Sequence, residues 1–239
     1  LSAQGNIENN ANKNDLISYK LPKLLISNSG KKISTPREWE NFRRGEIYSY
    51  FANNIYGIVP GELNFQEVEV LDFAGPFEVF SRTRLLKGAG SRRSDDSAPF
   101  TPFTVSIDKK PITATGGLKI ISDYTIKDCP KIEILIIPGG FGTRTLLNNE
   151  SLLSWIKSIA DQATTTSSVC TGSLLLAKAG LLEGKRATTH WGAIEALKSI
   201  SKDIQVLNNR RIVNDEIITS AGVSSGIDMA FMLVENLYG

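Results

Sequence analysis

Cys170 lies where a polar run becomes apolar, in the segment TTTSSVCTGSLLL that covers residues 164–176. Small residues flank the thiol on both sides. A strand that turns sharply into a helix through small residues is the layout of a nucleophile elbow, which exposes a side chain on a strained turn. The sulfur would then face a helix N-terminus, whose unpaired N–H groups stabilise a thiolate and lower the thiol pKa from about 8.5. The alternative is that Cys170 is a small buried hydrophobic residue.

The chain contains two cysteines, Cys129 and Cys170, so it has no disulfide scaffold. The sequence does not decide whether a single disulfide joins them, and such a bond would consume the proposed nucleophile. The glycine-rich stretch at 139–142 (GGFG) can bring backbone N–H groups close to a ligand, or it can simply be a tight turn. It lacks the G-x-G-x-x-G spacing, so no phosphate-bearing cofactor is implied. We predict a site without metal or cofactor.

The overall composition limits the classes of partner. With 239 residues, of which 41% are hydrophobic, the chain has enough material for one large α/β domain or for one domain with an appendage. A formal net charge of +2 is too small to indicate a nucleic-acid or an acidic membrane partner. No apolar run approaches the ~20 residues that span a bilayer. The sequence therefore predicts neither nucleic-acid nor membrane binding.

The first part of the chain is predicted to be a leader with one helix. Residues 1–20 are rich in Asn, Lys and Ser, which is typical of a mobile segment. Thr35 is a good N-cap, Pro36 suits the first helical position, and Glu38 completes a capping box. An aromatic stripe follows and indicates a docking face rather than a ligand site; it consists of Trp39, Phe42, Ile47, Tyr50 and Phe51.

From Phe65 onward, strands and helices are predicted to alternate. Lys131 to Ile137 is a continuous apolar run between prolines, as expected of a central parallel strand that is buried on both faces. The other predicted strands cover residues 67–71, 103–107, 187–190, 211–213 and 217–220, with a hairpin over 112–122. The predicted helices cover residues 77–84, 151–162, 191–200 and 227–237, and a further helical stretch follows Cys170 in the segment that ends at residue 176. This alternation indicates a mostly parallel sheet with helices on both faces.

Ligands of such sheets bind at the carboxyl ends of the strands. Four residues with chemical potential fall at predicted strand ends, namely Asp72, Gly140, Cys170 and His190. The shared location of these four residues is stronger evidence for a functional site than any one of them alone. The sequence therefore predicts a site at this edge of the sheet.

Four segments together resemble the DJ-1/PfpI superfamily: EVEVLDFAGPFEVF, IIPGGFGT, SVCTGSLLLAKAGLLEGKRATTHW and AGVSSGIDMA. The resemblance covers about residues 65–239 and is most similar to the isonitrile-hydratase-like branch, which is also found as the front domain of some AraC-type regulators. It implies a flavodoxin-like α/β sandwich, a homodimer and a small-molecule substrate. We therefore divide the chain into a leader, residues 1–63, and a DJ-1/PfpI-like domain, residues 64–239.

The resemblance also implies roles for particular residues. Asp72 matches the carboxylate that faces the cysteine, and Thr171 matches the threonine that follows it. Backbone N–H groups around Gly139, Gly140 and Thr171 would form an oxyanion site, and His190 matches a histidine near the cysteine. Each residue has a plainer alternative: Asp72 and Thr171 as helix caps, and His190 as a structural residue.

Thr171 stands where the protease-like branch has histidine, which disfavours a Cys-His peptidase or amidotransferase. Asp72 is then expected to act as the general acid and base beside the Cys170 thiolate. The resemblance implies hydration of an isonitrile to an N-substituted formamide. The alternatives are a small-molecule or redox sensor, in which the thiol binds a ligand or is oxidised, and glyoxalase-like work on reactive aldehydes.

Residues 20–61 resemble the lead-in segment of glucuronoyl-esterase-type carbohydrate esterases, without that family's catalytic serine region. Pro60 and Gly61 interrupt the place where the superfamily's first strand is expected, which disfavours a central strand there. A cytoplasmic location is expected if the location follows the DJ-1/PfpI superfamily. An exported protein follows if the initial LSAQGN remains from signal-peptide cleavage.

Overall fold

A computed structural model describes residues 23–51 and 68–239, and the chain divides into two units, Leu1–Gly61 and Glu62–Gly239. The predictions for residues 1–20 and 55–65 therefore lie outside the described residues. The helices are α1 (Pro36–Glu38), α2 (Arg44–Phe51), α3 (Val70–Arg82), α4 (Thr143–Leu146), α5 (Glu150–Ala160), α6 (Gly172–Lys178), α7 (Ile194–Ile200) and α8 (Ser224–Tyr238). The strands are β1 (Val105–Ser106), β2 (Ile112–Thr113), β3 (Lys119–Ile120), β4 (Tyr124–Thr125), β5 (Ile134–Ile137), β6 (Thr165–Val169), β7 (Arg186–Ala187), β8 (Gln205–Val206), β9 (Ile212–Val213) and β10 (Ile218–Ser220).

The main sheet has the strand order β5-β6-β10-β9. Strand β6 pairs in parallel with both β5 and β10, and β9 closes the sheet antiparallel to β10. The parallel strand predicted from Lys131–Ile137 is present as β5. It was predicted to be central, whereas among the residues that the structure describes β5 lies at the edge of the main sheet and pairs with β6 alone. The pairing of β6 with β10 brings the ends of two distant segments together beside Cys170.

Helices cover both faces of this sheet. The side chains of β5 alternate, so that Leu135 and Ile137 pack with α5, α6 and α7 on one face, while Ile134 and Ile136 pack with α3 and α8 on the other. Burial on both faces explains why β5 is apolar at every position. The predicted flavodoxin-like α/β sandwich is confirmed.

Three smaller strand pairs flank the main sheet. The hairpin predicted over residues 112–122 is confirmed as the antiparallel pair β2 and β3. The pairs β1 with β4 and β7 with β8 are parallel. Strand β8 was missed by sequence reasoning, because its two residues are too short to give a hydrophobic period.

The start of helix α3 differs from the prediction. The Gly75-Pro76 pair indicated a break with a strand before it, yet the helix begins at Val70 and runs through both residues. Tertiary packing overrides the local signal, because a β-carbon added at Gly75 would lie 2.7 Å from Ile227 Cγ1 on α8. Helix α8 likewise begins earlier than expected, at Ser224. None of the helices within residues 23–51 and 68–239 is long and apolar enough to cross a bilayer.

In the first unit, the predicted capping box is present. The Glu38 N–H donates to Thr35 Oγ1 over 3.2 Å, and the helical segment continues through a π-helical turn, Trp39–Arg43, into α2. Sequence reasoning missed Arg43, which is buried and donates to the carbonyl oxygens of Lys23 and Leu24 and to Glu46 Oε2. This arginine ties the segment before the helix to the helix itself.

Candidate active site

Cys170 occupies the predicted strand-to-helix elbow. It follows β6, precedes α6 and has φ 57°, a left-handed conformation that non-glycine residues seldom adopt. Its N–H donates to Ser220 O over 2.9 Å, which continues the pairing of β6 with β10 into the turn. Gly172 permits the sharp exit, because a β-carbon there would lie 2.0 Å from Ile137 O. The backbone of the elbow is therefore held by both neighbouring strands.

Two glycines approach the cysteine closely. A β-carbon added at Gly139 would lie 2.7 Å from Cys170 Cβ, and one added at Gly222 would lie 3.1 Å from the sulfur. These residues follow β5 and β10, so the site lies at the carboxyl ends of the strands as predicted. The cysteine itself is only 7% exposed.

Asp72 is fully buried in the first turn of α3 and belongs to the same site. Its Oδ2 accepts the Gly139 N–H over 3.2 Å and its Oδ1 accepts the Val223 N–H over 2.8 Å. The carboxyl group is close enough to the Cys170 thiol that each group affects the pKa of the other. The helix-cap alternative for Asp72 is wrong, because the N-cap of α3 is Glu69.

Val223, which sequence reasoning missed, presents its amide to Asp72 from a strained conformation. Its φ of 49° and ψ of −111° are close to the second position of a type II′ turn, which is normally glycine. The Ser225 N–H closes this turn on Gly222 O over 3.0 Å. A β-branched residue in such a conformation persists only where its surroundings hold it, and here the bond to Asp72 does so.

The pKa values of the two acidic groups are both raised. Burial raises the pKa of Asp72, and the N–H groups of Val223 and Gly139 oppose this shift in part. Burial, together with the charge of Asp72, raises the pKa of the Cys170 thiol to about 12, against the opposing effect of the Thr171 N–H. The sequence had predicted a lowered thiol pKa from the helix terminus alone. That prediction is wrong for the resting site, because burial and the charge of Asp72 outweigh the effect of the helix terminus.

The Thr171 side chain is hydrogen-bonded to the loop that carries Gly140. The Gly140 N–H donates to Thr171 Oγ1 over 3.0 Å, and the Thr171 hydroxyl donates to Gly140 O over 3.0 Å. Thr171 occupies the N-cap position of α6 without a side-chain capping bond, so the alternative of a simple cap is wrong. Of the N–H groups predicted to form an oxyanion site, that of Gly140 is engaged by Thr171 and that of Gly139 by Asp72. The Thr171 N–H lowers the pKa of the Cys170 thiol.

His190 takes part in local structure. Its Nδ1 accepts the Gly192 N–H over 3.2 Å, which caps a short 3-10 turn, and its ring lies 5.1 Å from that of Trp191. These contacts favour the structural alternative for this residue. Both Cys129 and Cys170 are free thiols, so the disulfide between them that the sequence left undecided does not form. Within the two described ranges, no cluster of three or more His, Cys, Asp or Glu side chains has the arrangement of a metal site.

These features place the protein among the α/β sandwich proteins that carry a cysteine on a strand-to-helix elbow. A buried carboxyl group lies beside this cysteine, at the C-terminal ends of the strands. This chain belongs to the DJ-1/PfpI family, whose family profile matches residues 63–236.

Known proteins similar to this chain include an enzyme and a regulator. Isonitrile hydratase of Pseudomonas putida is 38% identical over 181 residues, which cover 75% of this chain and 72% of the hydratase. The HTH-type transcriptional regulator CdhR of Pseudomonas aeruginosa is 31% identical over 135 residues, and the chain spans 40% of its length. The crystal structure of a THiJ/PfpI family protein from Pseudomonas syringae superposes with a TM-score of 0.60 at 27% identity, covering 76% of this chain and 74% of that one.

Proposed function

We propose that the protein is a cysteine-dependent hydratase that converts isonitriles, R–N≡C, into N-substituted formamides, R–NH–CHO. The observation that carries the proposal is the Cys170 thiol on its elbow beside the buried Asp72 carboxyl group, which the Gly139 and Val223 N–H groups hold in the same loops that contact the cysteine. Similarity to isonitrile hydratase over most of both chains supports this choice of substrate.

The first step is addition of the thiol to the isonitrile carbon. The raised thiol pKa means that the resting sulfur is protonated at neutral pH, so a base must take its proton as the new bond forms. Asp72 accepts that proton and returns it to the former isonitrile carbon. The sulfur–carbon bond forms, no atom leaves, and the product is the thioimidate R–N=CH–S–Cys170.

The second step is hydrolysis of this intermediate. Asp72 takes a proton from the attacking water as the oxygen adds to the carbon, and it passes this proton to the nitrogen, which gives R–NH–CH(OH)–S–Cys170. The carbon–sulfur bond then breaks, the sulfur regains its proton through Asp72, and R–NH–CHO is released. The sequence is redox-neutral and consumes one water molecule.

The remaining residues have supporting roles in this proposal. The Thr171 N–H stabilises negative charge on the sulfur. Gly139 holds Asp72 through its amide, and Gly140 holds Thr171. His190 shapes the rim of the site without taking part in proton transfer, in keeping with its capping bond.

A non-catalytic sensor is the second candidate. The observation that favours it is the low exposure of Cys170, 7%, together with a pKa raised to about 12, since such a thiol is a poor nucleophile without a base.

The experiment that separates the candidate functions is to incubate cyclohexyl isocyanide or methylglyoxal with the wild type and with Cys170→Ser. Formamide production that Cys170→Ser abolishes supports the hydratase, and loss of methylglyoxal alone supports a glyoxalase-like enzyme. Turnover of neither compound favours the sensor.

We also propose that residues 64–239 form the catalytic domain and that this domain assembles as a homodimer, with residues 1–63 as a leader. The proposal rests on the family relationship. Light scattering coupled to size-exclusion chromatography gives the mass of the particle directly, and a monomer at micromolar concentration contradicts the dimer.

A further inference from the structure

A cleft at the end of α3 concentrates positive charge. Its volume is about 500 Å³, and none of the residues that line it belongs to the cysteine site. Four of its eight lining residues are cationic and none is acidic; they are Arg82, Arg84, Leu86, Lys87, Gly88, Ala89, Ser91 and Arg92. The formal net charge of the whole chain is only +2, so the composition does not reveal this local excess of positive charge.

The wall of the cleft is a loop that is folded around the Arg84 side chain, which is only 7% exposed. The guanidinium group donates over 2.7–3.2 Å to four backbone carbonyl oxygens, those of Ser81, Thr83, Ser91 and Ser94. It also forms an ion pair with Asp95, which compensates its charge, while Asp96 accepts the Ser94 hydroxyl. A planar group with this many fixed partners holds the loop in one conformation, so the cleft exists before a ligand binds.

The other three cationic side chains of the cleft, Arg82, Lys87 and Arg92, provide the charge that a ligand meets. Arg82 lies 4.0 Å from Glu78 Oε1, and both of these side chains are more than half exposed, so their pairing is weak. Lys87 and Arg92 are exposed, and neither forms an ion pair within the part of the chain that the structure describes. Like charges that line one cleft repel one another, and a bound anion relieves that repulsion.

We propose that this cleft binds a phosphate group that carries two or more negative charges. Arg82 and Arg92 supply planar guanidinium groups, which donate pairs of hydrogen bonds to phosphate oxygens, and Lys87 supplies a compact charge. Leu86 gives an apolar wall for the remainder of the ligand. A volume of about 500 Å³ lies within the range of sites for small molecules. The inference does not depend on the proposed hydratase reaction.

The test is calorimetric titration of the full chain with inorganic pyrophosphate. We expect saturable one-to-one binding that weakens as ionic strength rises. The double variant Lys87→Gln/Arg92→Gln should bind at least about tenfold more weakly, because it loses charged hydrogen-bond donors at two positions. The control is Lys127→Gln/Lys157→Gln, which removes the same charge from exposed positions outside the cleft and should stay within about twofold of the wild type. Absence of saturable binding, or equal weakening of the two double variants, overturns the proposal.

Arg84→Lys separates a preformed cleft from a simple accumulation of charge. The substitution keeps the charge but cannot reproduce the four bonds to carbonyl oxygens. We expect about tenfold weaker binding of pyrophosphate, and a wild-type affinity contradicts the proposed cleft. Thermal unfolding of each variant verifies that the domain is folded. If Arg84→Lys unfolds, the two double variants still decide the question, since their substituted side chains are exposed.

Soluble metabolites and lipid headgroups both carry phosphate groups, and sedimentation with vesicles distinguishes these two sources. The vesicles contain phosphatidylglycerol and phosphatidylcholine. A free ligand is indicated when pyrophosphate binds and the vesicles do not sediment the protein. A lipid headgroup is indicated when the vesicles sediment the wild type but not Lys87→Gln/Arg92→Gln. Failure of both pyrophosphate and vesicles to bind contradicts the inference.

Discussion

The Val223 N–H donates to Asp72 Oδ1 over 2.8 Å and joins residues that are 151 positions apart in the chain. This bond connects the turn after β10 to the first turn of α3. It holds the carboxyl group beside Cys170, and Val223 makes it from a backbone conformation with positive φ. The proposed base is thus held by a residue whose own backbone is strained.

Replacing Val223 is expected to reverse the usual order of glycine and alanine. At ordinary positions alanine is the more stabilising residue by about 0.5–1 kcal/mol. At φ 49° glycine relieves strain that alanine retains, so we expect Val223→Gly to exceed Val223→Ala by about 1 kcal/mol in the free energy of unfolding. Urea denaturation measures the difference. The same two substitutions at Val213, in strand β9, provide the control and should follow the usual order.

Asp72→Asn is expected to separate thiol reactivity from turnover. Removing the carboxylate charge removes one cause of the raised thiol pKa, so iodoacetamide should label Cys170 faster than in the wild type at pH 9. Turnover should fall by about 10²–10⁴-fold, because the general acid and base is lost. Labelling and isonitrile hydration are measured on the same preparation. Slower labelling, or unchanged turnover, is inconsistent with the role given to Asp72.

Gly172→Ala tests the close approach between the elbow and β5. The added carbon would lie 2.0 Å from Ile137 O, a backbone atom that cannot move aside without displacing the strand. We expect a loss of about 3 kcal/mol or more in the free energy of unfolding. Gly90→Ala is the matched control, since an added carbon there meets nothing within 4 Å, and it should change stability by less than about 0.5 kcal/mol. Equal stability of the two variants refutes the packing described for the elbow.

The raised thiol pKa also predicts a dependence of stability on alkaline pH. In the unfolded chain the thiol ionises near 9, whereas in the folded protein it ionises near 12, so the unfolded state loses its proton first. The free energy of unfolding should therefore fall between about pH 9 and 12, by at most about 4 kcal/mol from this one group. Cys170→Ser should remove that part of the decline. Identical pH profiles for the wild type and Cys170→Ser mean that the pKa is not raised.

The sequence allowed prediction of those features whose causes are local. The elbow at Cys170 was predictable because small residues separate a β-branched run from an apolar helix, and β5 was predictable because both of its faces are buried. The raised thiol pKa was not predicted, since it depends first on burial, which the residues around Cys170 do not indicate. The family resemblance indicated that Asp72 faces Cys170, and no local pattern did.

Two further features have no local signal. Val223 contradicts its own conformational preference, because a β-branched residue gives no indication of a left-handed turn. Thr143 looks like an ordinary first residue of a helix, and its link to Thr171 appears only when the loop after β5 meets the elbow. The glycine-rich stretch at 139–142 was recognised, but the sequence did not indicate that both Gly139 and Gly222 lie against Cys170.

The most direct measurement is the mass of the peptide that carries Cys170 after the wild-type protein is mixed with excess cyclohexyl isocyanide and rapidly quenched. The proposed mechanism adds the whole isonitrile across the thiol and loses no atom before hydrolysis. We predict a transient mass increase equal to one isonitrile molecule on Cys170, followed by the release of N-cyclohexylformamide. Formamide release that persists in Cys170→Ala, with no adduct on the cysteine peptide, would contradict the account.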